Sequence, residues 1–258
     1  MRIARFAGDD DPRFGVIGDD NGVPTIAVLN GDPLYAGLNL SGQKIPLADV
    51  RLLAPVIPRS KVVGIGKNYA AHAAEMGGEV PAEPLMFIKP NTSVVGPGDP
   101  VFYPRQSSEV HYEGELAVVI GRICRDVPPE QATDVIHGYT IANDVTARDL
   151  QAKDGQWTRA KGFDTFCPLG PWIETDFDPS KVQVTTRLND EIKQDGNTSD
   201  MVFTVPAIIE YVSSFMTLLP GDVILTGTPE GVGPMEVGDE VEVSIAGLGT
   251  LTNKVALR

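Results

Sequence analysis

Apolar residues along this chain fall into short runs broken by turn formers, not into long helical stripes. Residues 2–7, 14–18 and 23–29 are three such runs. Asp9-Asp10-Asp11-Pro12 and Asp19-Asp20-Asn21-Gly22 separate them, and the Asn-Gly pair predicts a tight hairpin. The pattern is that of a small β-rich N-terminal domain over residues 1–58. It ends in Leu53-Ala54-Pro55-Val56-Ile57-Pro58, whose two prolines resist regular structure and suit a linker.

Residues 59–258 read as one larger domain. Val62 to Gly66 has the character of a buried strand. Asn68 to Met76 predicts a short helix closed by Gly77-Gly78. Glu113 to Ile120 alternates and then runs apolar, as a strand entering a core does. Pro128 to His137 predicts a helix ended by Gly138, and Tyr139 to Asn143 a strand. Thr204 to Leu219 carries the clearest helical period, with Ile208, Ile209, Val212, Phe215, Met216 and Leu219 on one stripe and Pro206 in the first turn. Val223–Thr226, Glu240–Ile245 and Thr250–Ala256 predict closing strands. The fold class expected is α+β, mainly β.

Composition supports this. The 258 residues are 42% hydrophobic, enough for a sizeable core, and 27 glycines and 21 prolines suit many short strands. The net charge of −14 argues against nucleic acid or an anionic membrane surface as a partner. No run has the length of a leader peptide or a membrane span, so the expectation is a cytoplasmic protein. Cys124 and Cys167 stand outside any C-x-x-C pattern, and the three histidines, His72, His111 and His137, are too few for a multi-histidine zinc site. Gly64-Ile65-Gly66-Lys67 starts like a phosphate loop but continues with Asn68, so that motif is absent.

Oxygen-ligand metal chemistry remains open. Glu113 and Glu115 flank Gly114 on a predicted strand, so both side chains point one way, their Cα atoms roughly 6.7 Å apart. Two carboxylates so placed repel unless a cation lies between them. Gly114 leaves the opposite face bare for another element to approach. Asp144 follows Ile141-Ala142-Asn143 at a strand end. Three carboxylates suit Mg²⁺ or Mn²⁺ better than zinc or copper. On the short helix His72 and Glu75 are three apart and share a face, the arrangement of a base oriented by a carboxylate; a surface pair has the same spacing.

Taken together the segments resemble the fumarylacetoacetate hydrolase superfamily. The resemblance lies in Gly66-Lys67-Asn68-Tyr69-Ala70-Ala71-His72-Ala73-Ala74-Glu75, Phe87-Ile88-Lys89-Pro90, Tyr112-Glu113-Gly114-Glu115-Leu116-Ala117, Asn143 to Gln151, Lys161 to Pro171 and Leu218 to Gly233. It covers about residues 60–258, in order. It implies a mixed β-sandwich roll, a homodimer, and Mg²⁺ or Mn²⁺ held by Glu113, Glu115 and Asp144. It also implies catalytic roles for His72, Glu75 and Lys161, and substrate binding by Arg148, Gln151 and Thr228, with Lys89 a weak candidate.

The activity implied is cleavage of a carbon–carbon bond in a small β-dicarbonyl keto acid, as in oxaloacetate decarboxylases and acylpyruvate hydrolases. The alternative within the family is 2-hydroxyhepta-2,4-diene-1,7-dioate isomerisation or 5-oxopent-3-ene-1,2,5-tricarboxylate decarboxylation. A non-catalytic binding protein on the same fold is a third reading. The presence of His72, Glu75, Glu113, Glu115, Asp144 and Lys161 favours an enzyme, because a scaffold needs none of them.

Overall fold

The computed structural model describes residues 1–9 and 11–258; Asp10, in the first acidic cluster of the sequence, lies outside them. The three N-terminal runs form the strands Arg2–Phe6, Arg13–Asp20 and Val23–Leu29. Asn21 and Gly22 join the last two, both with positive φ, as a two-residue hairpin requires. A fourth strand, Leu40–Pro46, completes the meander and lies at the sheet edge.

This meander is continuous with the main sheet. Arg2 and Ile3 pair with Glu174 and Ile173 of the strand Cys167–Glu174. The sheet then runs through Ile136–Asn143, Gly114–Ile120, Val223–Leu225, Val62–Gly66 and Leu85–Lys89. A five-stranded sheet, with Glu191–Asn197, Gln183–Leu188, Glu240–Ile245, Gly249–Ala256 and Val101–Phe102 in that order, packs over one face. Between the sheets, Leu116, Val118, Ile120 and Ile141 meet Val184, Val243, Ile245 and Leu251, with Ile208, Ile209 and Val212 of the helix Val205–Phe215. On the opposite face Ala117, Val119, Ala142 and Leu169 meet Val62, Val223 and Leu225. The strand Gly114–Ile120 is therefore buried on both sides, which is why its alternation gives way to a continuous apolar run. The chain is mainly β, as the pattern predicts.

Two helices differ from expectation. Pro128 to His137 is not an α-helix: Pro129–Asp134 is a 3₁₀ turn, and Ile136 already pairs with Ile120. Gly138 is no helix stop but lies within the strand, where a Cβ would stand 2.6 Å from the Glu174 carbonyl oxygen. The strongest helix ends at Phe215, four residues early. Met216 turns extended so that Leu218 can bridge to Cys124, and Phe215 is left half exposed. Thr204 stands at its N-cap without a side-chain capping bond. Among the described residues, no helix is long and apolar enough to cross a membrane.

Candidate active site

The site forms where two adjacent strands end. Gly114 pairs with Asn143 and Glu115 with Ala142, which sets Glu115 beside Asp144. Glu113 precedes the strand and is tied to the neighbouring one twice: its N–H donates to Asn143 Oδ1 at 2.9 Å and its carbonyl accepts from the Asp144 N–H at 2.8 Å. The result is that Glu113, Glu115 and Asp144 each offer an oxygen within 4.8 Å of the others, all three buried. Gly114 has the role its position suggests. A Cβ there would overlap Thr186 Oγ1 and stand 2.9 Å from Val243 Cγ1, so only glycine lets the second sheet come this close.

Basic groups gather around the carboxylates. Lys161, from the one-turn helix Thr158–Lys161, donates to Glu113 Oε2 at 2.8 Å and to Asp144 Oδ2 at 2.6 Å. Its ammonium also lies 4.8 Å from the centre of the Phe87 ring. Lys89, fully buried, pairs with Asp144 Oδ1 and donates to the Val145 carbonyl. Arg148, at the start of the helix Arg148–Asp154, pairs with Glu113 Oε1 and donates to Gln151 Oε1 at 2.7 Å. Among the described residues, the Glu115 carboxyl accepts only the Gly227 N–H, at 2.7 Å.

The electrostatics follow from these partners. Burial alone would raise the Glu113 carboxyl, but the charges of Lys161 and Arg148 outweigh it and hold Glu113 well below the usual carboxylate range. Burial, then the charges of Asp144 and Glu113, push Glu115 well above that range. Burial would lower the Lys161 ammonium; Asp144 and Glu113 outweigh it and raise it. Lys161 is thus a fixed cation, and Glu115 a carboxyl that makes no ion pair among the described residues and whose rise the Lys161 charge only partly offsets.

A cavity of about 290 Å³ opens over the three carboxylates. Arg148, Gln151, Lys161, Thr228 and His72 line it, with Ile65, Met76, Ala152 and Trp157 as an apolar wall. His72 Nδ1 lies 3.2 Å from Glu75 Oε2 on the helix Ala70–Glu75, and Glu75 accepts the Gly231 N–H at 3.0 Å. Thr228 faces the cavity, but its hydroxyl donates to the Gly114 carbonyl and accepts from Gln194, so it also braces the strand that carries the glutamates. All nine residues singled out from the sequence gather around this one cavity, Glu75 from behind His72.

Other contributors were less legible. Lys89, only a weak candidate in the sequence, is as deeply placed as Lys161; a lysine closing the apolar run Leu85-Met86-Phe87-Ile88 was its signal. Gln194, whose Oε1 accepts the Gly114 N–H, sits on a strand of surface character and gave no signal at all.

Three converging hard oxygen donors, one of them without an ion-pair partner among the described residues, fit a divalent cation such as Mg²⁺ or Mn²⁺. Residues 61–256 match the fumarylacetoacetate (FAA) hydrolase C-terminal family, and the chain belongs to that family. Residues 1–55 match the Rv2993c-like N-terminal family. The chain is 55% identical to Protein Rv2993c of Mycobacterium tuberculosis over 260 residues, 99% of this chain and 98% of the other. It is 47% identical over 197 residues to a mitochondrial oxaloacetate decarboxylase of Dictyostelium discoideum, 74% of this chain and 90% of the other. It is 46% identical over 223 residues to a mitochondrial oxaloacetate tautomerase of Homo sapiens, 82% and 71% respectively.

Among solved structures, a 2-hydroxyhepta-2,4-diene-1,7-dioate isomerase from Mycobacterium marinum superposes with a TM-score of 0.92 at 52% identity, covering 100% of this chain and 99% of that one. A maleylpyruvate hydrolase from Sphingobium, in complex with manganese(II) and pyruvate, superposes at 0.82 with 34% identity and the same coverage.

Proposed function

We propose that this chain is a Mg²⁺- or Mn²⁺-dependent enzyme that cleaves a carbon–carbon bond in small β-dicarbonyl keto acids, by decarboxylation or by hydrolysis. The observation that carries this reading is the convergence of three buried carboxylates under a small cavity shared with Lys161, Arg148, Gln151 and His72. Glu113, Glu115 and Asp144 would hold the cation. When bound, it supplies Lewis-acid polarisation of the α-keto oxygen.

The protein's own groups do the rest. Arg148, braced by Gln151, orients the substrate carboxylate as a fixed fork of donors. Lys161 stabilises the negative charge that develops as the bond between the methylene carbon and the distal carboxylate or acyl carbon breaks and its electron pair moves into the enolate of the keto group. For an acylpyruvate, His72 takes a proton from water, Glu75 steadies the imidazolium, and the hydroxide adds to the distal carbonyl. The enolate then collects a proton and leaves as pyruvate. Decarboxylation of oxaloacetate needs no water, and there the dyad's part reduces to returning the proton. The cavity volume suits substrates of this size.

A second reading is supported by the 52% identity, over the whole chain, to the protein named as a dioate isomerase. Isomerisation uses the same enolate stabilisation with proton transfer in place of bond cleavage. Purified protein with Mn²⁺ is to be assayed on oxaloacetate, acetylpyruvate and an unsaturated seven-carbon dioate, with oxalate as the mimic of the pyruvate enolate. The expected result is turnover of one of the first two, competitive inhibition by oxalate, and inhibition weakened at least 10-fold in Lys161→Ala. Efficient isomerisation of the dioate without oxalate inhibition would replace the cleavage reading with the second.

A further inference from the structure

The cavity holds one cation that the chemistry above does not use. Lys161 and Arg148 are both engaged with the carboxylates of the floor. Lys67 also lines the cavity, partly shielded from water, and among the described residues no carboxylate lies within ion-pair distance of its ammonium. Ile65, Met76 and Trp157 line the same cavity and give a ligand mainly apolar surface.

Its placement is imposed by its neighbours. Lys67 has φ of +56°, a conformation that costs a lysine free energy and that only a rigid surround maintains. That surround is on both sides of it. Gly66 packs so close to Trp157 that a Cβ would stand 2.7 Å from the indole ring. Asn68, fully buried, donates to the carbonyls of Thr226 and Phe203 at 2.7 and 3.0 Å and accepts from the Phe203 N–H at 2.7 Å. The Lys67 amine ends against Gly78, where a Cβ would overlap Nζ. The strained backbone and its rigid neighbours hold Lys67 on the cavity wall, with its ammonium reaching the glycine turn that closes the helix carrying His72.

We propose that Lys67 is a specificity-determining residue that binds the distal carboxylate of the substrate, so that the site selects α-keto acids bearing a second carboxylate. The proposal rests on the keto-acid reading above. With the α-keto end at the carboxylate floor, the far end of the substrate lies along the wall that Lys67 shares with Trp157 and Met76. A second carboxylate there gains a charge-assisted hydrogen bond. An uncharged acyl tail instead covers the ammonium without pairing it, and a polar group left unpaired rejects a ligand more strongly than a missing apolar contact does. In oxaloacetate the second carboxylate is also the group lost as CO₂. The ion pair must then dissolve as the carboxylate becomes neutral, which holds back decarboxylation relative to tautomerisation.

The test compares two acylpyruvates that break the same bond, fumarylpyruvate with its terminal carboxylate and acetylpyruvate without one. Wild type, Lys67→Met, Lys67→Asn and Lys67→Arg are compared, with 2-oxoglutarate and oxalate as binding probes by calorimetry. Methionine keeps the length of the side chain, and asparagine tolerates the left-handed backbone, so a folded neutral variant is secured by comparing unfolding midpoints. Loss of the charge is expected to lower kcat/KM for fumarylpyruvate on the order of 10- to 100-fold, mainly through KM, and to weaken 2-oxoglutarate alike. Acetylpyruvate turnover and oxalate binding stay within about 3-fold, and Lys67→Arg restores most of the loss. Equal losses on both substrates, or none on either, would overturn the proposal. If wild type binds neither probe and turns over neither acylpyruvate, the keto-acid reading itself fails and this proposal falls with it.

Discussion

Glu115 is the residue on which the electrostatics of the site turn. Burial and two neighbouring anions push its carboxyl well above the usual range, against the nearby Lys161 charge and one backbone N–H. The folded chain therefore holds this proton more tightly than the unfolded chain does. The resulting contribution to stability is fully present below the unfolded-state pKa and is lost as pH rises through the raised folded-state value. A divalent cation reverses the situation by taking the proton's place. The unfolding midpoint of metal-free protein should thus fall as pH rises from mildly acidic to neutral, and metal-loaded protein should resist that fall. Binding of Mn²⁺ should release about one proton, read as a dependence of the calorimetric heat on the ionisation enthalpy of the buffer. Heats that are independent of the buffer would mean that Glu115 is already ionised and that the field described here is wrong.

At the scale of elements, the short helix Ala70–Glu75 carries the proton-transfer pair on little support. It has six residues, and only His72 and Ala73 are buried. Its end is a glycine-closed turn, with Gly77 at φ of +68° and the Gly78 N–H returning to the Ala73 carbonyl. Glu75 is its one side-chain tie to the closing segment, through the Gly231 N–H. Such an element opens at low free-energy cost. Amide exchange over residues 67–80 should slow at least about 10-fold when oxalate and Mn²⁺ are bound; exchange unchanged by them would count against a closing lid.

This helix was legible in the sequence because its stop signal is local. So was the hairpin at Asn21-Gly22, and so were the glutamates flanking Gly114, whose spacing puts them together, although Glu113 precedes the strand and is held there by Asn143 and Asp144. What was not legible depends on distant partners. Ile136 and His137 join a strand because Ile120 is there to pair with, and the long helix ends early because Leu218 is claimed by Cys124. Lys89 and Gln194 become site residues only once the strands that carry them lie against Asp144 and Gly114.

For the whole molecule, the doubly buried strand Gly114–Ile120 is the axis of the account. Two apolar layers fix it, and its open end presents the carboxylates to the cavity. The N-terminal meander pairs into the same sheet through Arg2 and Ile3, at the far side of Cys167–Glu174 from the site, so it supports the scaffold without touching the chemistry. The homodimer that the family resemblance implies would double the 27.6 kDa of the chain in sedimentation.

The central claim is that the three carboxylates hold a divalent cation on which keto-acid chemistry depends. The direct measurement is turnover of oxaloacetate and acylpyruvates by protein stripped with excess EDTA, then titrated with Mn²⁺ or Mg²⁺, for wild type and Asp144→Asn. The account predicts that activity vanishes on chelation and returns in proportion to metal up to about one ion per chain. It further predicts that Asp144→Asn, still folded, regains at most about 1%. Full turnover in excess EDTA, or a fully active Asp144→Asn, would contradict it.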